Sequence, residues 1–135
     1  MMVVQDKITL DFAEFSLLND RIVVVDYLNE EPMNVDRGIQ LVESINKLTN
    51  DRPAAVIHNV GDKYIFTTDA LRFMGSQLST EQHHYLARAI VSNNSAARIA
   101  STNFLNLYKP LIPTRLFNNM DEALSWVEGV ISSSK

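Results

Sequence analysis

Three groups of side chains in this sequence have types and spacings that could do chemistry. The first is Thr67-Thr68-Asp69, which follows the loop Gly61-Asp62-Lys63 and the aromatic stretch Tyr64-Ile65-Phe66. A helix opening there presents unpaired N–H groups and the positive end of its dipole, which together favour a phosphate. A phosphorylated hydroxyl adds a charge of about -1.5 to -2 at neutral pH, enough to attract or reject a partner. The same residues serve equally as an N-cap and an ordinary first turn. The second group lies at expected strand ends: His58-Asn59, Asn93-Asn94 and Asn118-Asn119. Open α/β sheets bind ligands at the carboxyl edge of their parallel strands, and a cluster rich in Asn and Thr could hold a small polar molecule. Helix capping accounts for each Asn one by one. The third group is Glu81-Gln82-His83-His84. Adjacent histidines on a helix point about 100° apart, and one Glu-x-x-His supplies too few ligands for zinc, so no metal is expected.

No nucleophile can be named. Gly-x-Ser-x-Gly is absent, cysteine is absent, and four glycines (Gly38, Gly61, Gly75, Gly129) make no phosphate-cradling loop. His58 has no partner that sequence can assign, and a lone His at a strand end reads as structural. The expectation is a non-enzyme without a cofactor.

The elements that must position these residues follow from periodicity. Lys7 to Phe15 alternates apolar and polar and reads as a half-buried strand; Arg21 to Leu28 is a β-branched run. Asn19-Asp20 between them reads as the turn of an antiparallel hairpin. Asn34 is an N-cap for a helix that carries Val35, Ile39, Leu41, Val42, Ile45 and Leu48 and ends near Thr49-Asn50-Asp51. Pro53 to Val60 reads as a strand buried on both faces, hence central and parallel. A second helix opens at Thr67-Thr68-Asp69, and Ser79-Thr80-Glu81-Gln82 has capping-box spacing. Leu86 to Val91 is a strand, Asn93-Asn94-Ser95 caps a helix that turns Ile99, Phe104 and Leu107 inward and stops before Pro110, and Pro113 to Phe117 is a last short strand. Asn119 with Glu122 caps the final helix, which carries Ala123, Leu124, Trp126, Val127, Val130 and Ile131. The expected order is β-β-α-β-α-β-α-β-α, a mixed α/β sheet with right-handed crossovers.

Length and composition fit one domain over residues 1–135, with 46% apolar and 21% charged residues. The net charge of -4 and scattered basic residues argue against nucleic acid and against a polybasic membrane surface. The first residues, Met1 to Lys7, lack a secretory pattern, and the longest aliphatic stretch, Ile22-Val23-Val24-Val25, is far too short to span a bilayer. The expectation is a cytoplasmic protein. The hairpin leaves an edge that a homodimer could cover.

With this order in place, the chain resembles the STAS superfamily, in the SpoIIAA-like or STAS/SEC14-like branch of small bacterial proteins. The residues that carry the resemblance are Ile112-Pro113-Thr114-Arg115-Leu116-Phe117 and Asp121-Glu122-Ala123-Leu124-Ser125-Trp126-Val127. The resemblance implies a SpoIIAA-like mixed sheet, with an N-terminal antiparallel hairpin, then parallel βα units, and helices mainly on one side. It also implies a regulatory or protein-interaction module with a protein partner, such as a kinase or an anti-sigma-like regulator. In the anti-sigma-factor antagonists an Asp-Ser-x-Gly pattern carries the phosphorylated Ser. Here Thr68 falls at that Ser, Thr67 stands where Asp is usual and Ala70 where Gly is usual, so the motif is degraded. Thr67, Thr68, Asp69 and Tyr64 form the implied switch surface. The branch's other half implies an alternative, a small-molecule or lipid-binding domain, with Met33, Phe73, Met74 and Phe104 able to line a pocket.

Overall fold

Asn19 and Asp20 both take positive φ, 50° and 63°, and the Arg21 N–H donates to the Leu18 carbonyl at 3.2 Å. Two left-handed residues in succession match the twist of paired strands, and Asn and Asp tolerate that region. The expected hairpin therefore forms, between β2 (Ala13–Leu18) and β3 (Ile22–Tyr27). The computed structural model describes residues 4–28, 33–61, 67, 69, 72–73, 85–108 and 112–133.

One expectation about the N-terminus changes. Residues 7–15 are not a single strand. The chain reverses at Leu10-Asp11-Phe12, where the Leu10 N–H donates to the Ala13 carbonyl at 2.8 Å. This adds β1 (Val4–Thr9), antiparallel to β2 and bulged between Val4 and Asp6. The turn is hidden in the sequence because Leu10-Asp11-Phe12 continues the apolar–polar alternation of a strand. Phe12 is fully buried, and its carbonyl accepts the Leu28 N–H at 2.9 Å. A turn tied down by burial needs none of the Gly, Pro or Asn that mark exposed turns.

The remaining strands are β4 (Ala54–Asn59), β5 (Tyr85–Val91) and β6 (Thr114–Phe117). They are parallel to β3 and to one another, and the sheet order is β1-β2-β3-β4-β5-β6. β4 lies centrally as expected, with Ala54 to His58 all buried.

Three helices join them: α1 (Val35–Thr49), α2 (Ser95–Tyr108) and α3 (Met120–Ser133). The Asn34 side chain accepts the Arg37 N–H at 2.9 Å and starts α1. Asn50, at φ 50°, ends it, with its N–H turned back to the Asn46 and Lys47 carbonyls. Leu41, Ile45 and Leu48 line the buried stripe of α1. They pack on Phe15, Leu17, Val23, Val25 and Val56. Full burial of each such side chain stabilises the fold by about 1.5–3 kcal/mol.

The alternate residues of the same strands face the other way. Ile22, Val24, Ala55, Ile57, Ala87 and Ala89 form a second core with Ala123 and Val127 of α3. α1 packs on one face and α3 on the other. Crossovers of one hand between strands in sequential order share a face. α3 follows the last strand, so this constraint does not apply to it, and it covers the opposite side. The expected helix start at Ser79 and the His83-His84 pair lie outside the described residues. Among the described residues no helix is long and apolar enough to cross a membrane.

Candidate functional site

The four parallel strands deliver their carboxyl ends to one edge, and His58 stands there. It is 6% exposed, on the α1 face of β4, one alternation beyond Val56. Its cross-strand partner on β3 is Val25. Tyr27, two residues further along β3, therefore projects on the same face, and its Oη lies 2.9 Å from His58 Nδ1. The rings are tilted at 34°, with centroids 6.1 Å apart.

Burial, reinforced by the positive charge of Arg88, lowers the His58 pKa from 6.5 to about 3. The ring is neutral at physiological pH. In one tautomer Nδ1 accepts the phenol proton, and in the other it donates to the phenol oxygen. Either way that nitrogen is engaged.

Arg88 is the site residue that sequence reasoning missed. It is opposite Val56 in the β4–β5 register, hence on the His58 face, and only 7% exposed. Its guanidinium carbon sits 5.6 Å from the centroid of the Tyr85 ring, a cation–π distance. The available signal was an arginine in the middle of the apolar run Leu86-Ala87-Arg88-Ala89-Ile90. A charged residue at a buried strand position is the informative exception in a core pattern.

Most of the other strand-end residues are engaged in hydrogen bonds within the fold. Asn59 Nδ2 donates to Asp26 Oδ1 at 2.8 Å, across adjacent strand ends that the register places opposite. Ser92, only 2% exposed, donates from Oγ to the Gly61 carbonyl at 2.9 Å and accepts the Asn94 N–H at 3.3 Å. Asn94 Oδ1 caps α2 by accepting the Ala97 N–H at 3.0 Å. Asn119 Oδ1 caps α3 by accepting the Glu122 N–H at 2.9 Å. Arg98 Nη1 ties the edge together, donating to the Ser92 and Phe117 carbonyls at 3.1 and 3.0 Å. Asn93 is exposed. The structure thus brings His58, Asn59 and Asn94 to one edge but gives each a separate task. His58 faces the α1 core, Asn59 pairs with Asp26, and Asn94 caps a helix.

Of the expected switch residues, Thr67 and Asp69 are described, whereas Tyr64 and Thr68 lie outside the described residues. Thr67 is half-buried, and its N–H donates to the Met33 carbonyl at 2.9 Å. Asp69 is exposed and helical, as is Arg72 one turn on. Phe73 belongs to the same stretch and lies against α1: a Cβ at Gly38 would come within 3.1 Å of its ring. Met33 is fully buried in the α1-side core. Phe104 is half-buried on α2, whereas Ile99 and Leu107, expected inward with it, are exposed. Met74 lies outside the described residues. Among the described residues no group of His, Cys, Asp or Glu could hold a metal ion.

The family model for a domain of unknown function, DUF7793, matches residues 15–131. This chain belongs to the DUF7793 family. The match begins within β2 and runs into α3, so the family pattern takes in both cores. No curated protein matches. Among solved structures, an uncharacterised protein of the DUF3478 family from Shewanella loihica PV-4, described as having a SpoIIAA-like fold, aligns over 93% of both chains with a TM-score of 0.57 and 9% identity. That likeness establishes the SpoIIAA-like fold that the C-terminal motifs implied. A protein of unknown function from Arthrobacter sp. FB24 aligns over 84% of this chain and 97% of its own, at 17% identity and a TM-score of 0.31. What stands established is a DUF7793 domain of SpoIIAA-like fold.

Proposed function

We propose that this chain is a non-enzymatic regulatory module that works by docking a protein partner. The observation that carries the reading is the strand-end edge. An α/β sheet usually does its chemistry there. Here Asn59, Asp26, Ser92 and Asn94 are engaged in hydrogen bonds within the fold, and the His58 imidazole is neutral and bonded to Tyr27.

The docking surface in this reading is the helix start at Tyr64 to Asp69. Asp69 and Arg72 offer opposite charges one turn apart on an exposed stretch. The bond from Thr67 to Met33 holds the start of that stretch to the chain entering α1. A phosphate on Thr68 would add negative charge beside Asp69, and so bias which partner surface can approach.

The test compares wild-type, Asp69→Lys and Thr68→Glu proteins as baits in the native cell extract, with intact-mass analysis of the endogenous chain. The expected result is a partner held by wild type and lost from both variants, with a phosphorylated fraction of the endogenous chain. Partners that are indifferent to both substitutions, with no phosphate on the endogenous chain, would refute the reading.

A further inference from the structure

The sheet ends in two edges, β1 and β6, and they differ. β1 is bulged between Val4 and Asp6, and its Lys7 pairs with Glu14 at 3.2 Å. Bulges and charges of this kind deter a further strand. β6 runs against β5 in an unbroken register. Its flanking and last carbonyls, Pro113 and Phe117, accept the Arg88 and Ser92 N–H groups of the β5 side at 2.9 and 3.1 Å. Ladder bonds alternate along a strand, so Thr114 and Leu116 turn their N–H and carbonyl groups away from β5. Among the described residues no strand lies on that side.

Arg115 stands between those two residues and is exposed. It is opposite Ala89 in the register, hence on the α3 face. Its guanidinium carbon lies 5.3 Å from the Phe117 ring centroid and 5.8 Å from that of Trp126, and the two rings are 5.6 Å apart. Stacking on the rings fixes the guanidinium plane and leaves its fork of N–H donors at the rim. Among the described residues no carboxylate pairs with it. We propose that β6 accepts a further strand, an extended segment of a protein partner that carries Asp or Glu opposite Arg115.

The chemistry of the edge selects this occupant. Outward N–H and carbonyl groups are matched by an extended backbone, which neither a membrane nor a free anion possesses. Directly opposite residues of an antiparallel pair stand about 4.5–5.5 Å apart, and opposite charges stabilise such a pair. A second copy is opposed by symmetry. For Thr114 and Leu116 of one copy to meet Leu116 and Thr114 of another, the two-fold axis must pass through Arg115. The two guanidinium groups would then lie side by side on one face, and like charges directly opposite destabilise the pairing. This edge is separate from the Tyr64 to Asp69 surface and does not depend on it.

The test titrates the isotopically labelled chain with the capped peptide Thr-Val-Glu-Val-Thr, and with the same peptide carrying Lys for Glu, each to about 5 mM. Nuclear magnetic resonance follows the Thr114 and Leu116 amides and the indole of Trp126, the single tryptophan. All three signals are expected to move with the Glu peptide, which should bind at least about fivefold tighter than the Lys peptide. Arg115→Glu is expected to reverse that order. Leu116→Pro removes one outward N–H at an edge position that tolerates proline, and is expected to lose the peptide although Arg115 remains. Wild-type circular dichroism checks the fold of both variants, and the comparison of peptides on the wild-type chain needs neither. Asp69→Lys should bind the Glu peptide as wild type does. Unmoved Thr114 and Leu116 signals, equal binding of the two peptides, or a folded Arg115→Glu chain that keeps the wild-type order would overturn the proposal. So would inorganic phosphate that moves the same three signals as far as the peptide does, because Arg115 would then be a simple anion contact.

Discussion

Replacing His58 by glutamine should flatten the acid limb of the stability curve. In the unfolded chain this imidazole takes up a proton at its ordinary pKa of 6.5, but in the fold it does so only at about 3. Between those values the unfolded state binds more protons, so stability rises with pH. The contribution is complete above about 6.5 and is lost as pH falls toward 3. Each pH unit well inside the window is worth about 1.4 kcal/mol, and the loss from pH 7 to pH 4.5 comes to about 2.5 kcal/mol. Glutamine does not titrate, and its amide can still meet the Tyr27 hydroxyl. The variant starts less stable at pH 7, because an imidazole fitted to its site has been replaced. Its deficit relative to wild type should then shrink by about 2.5 kcal/mol at pH 4.5. Urea unfolding followed by circular dichroism at half-unit steps between pH 7.5 and 4.5 measures the difference. The carboxylates titrate in both proteins and cancel. Parallel curves would refute the reasoning, since they would mean that His58 gains a proton in the fold as easily as outside it. The His58 ring resonances in wild type should also stay fixed from pH 7.5 to 5.

Three further outcomes follow from the fold. Asp20→Gly should raise stability by about 0.5–1 kcal/mol in urea titration, because Asp20 holds a φ of 63° that glycine adopts without strain. Gly38→Leu should cost about 1–3 kcal/mol by the same assay, because the new side chain must displace the Phe73 ring that already lies at contact distance. Ile45→Ala should cost about 2–5 kcal/mol, and Ile99→Ala less than about 0.5 kcal/mol at dilute concentration, since the first is 2% exposed and the second 63%.

The elements most legible in the sequence were those with a cap or a tight turn. Asn34, Asn94 and Asn119 start helices where their side chains suggested, and Asn19-Asp20 turns the hairpin. Burial on both faces made β4 readable as the central parallel strand. What stayed hidden was set by tertiary contact. The reversal at Leu10-Asp11-Phe12 has the apolar pattern of a strand because its Phe12 belongs to the core. The candidate site was half legible. Strand ends place His58 and Asn59 together, but strand parity alone turns one toward the α1 core and lets the other pair with Asp26. Arg88 escaped notice because periodicity marks where apolar residues should be and gives no role to a charged residue among them. The assignment of helices to faces also needed the strand order, which no local pattern encodes.

The order of the strands across the sheet repeats their order along the chain. Every strand is therefore added at a growing margin, and none has to be inserted between neighbours that have already joined. A chain emerging from the ribosome can complete the β1–β3 meander while the rest is still unmade, then extend it one strand at a time. α3 comes after the sheet it covers. Among the described residues it is the helix that packs on the alanine-rich side of β4 and β5. The growing chain is therefore most exposed to misassociation in the interval between the making of β6 and the docking of α3.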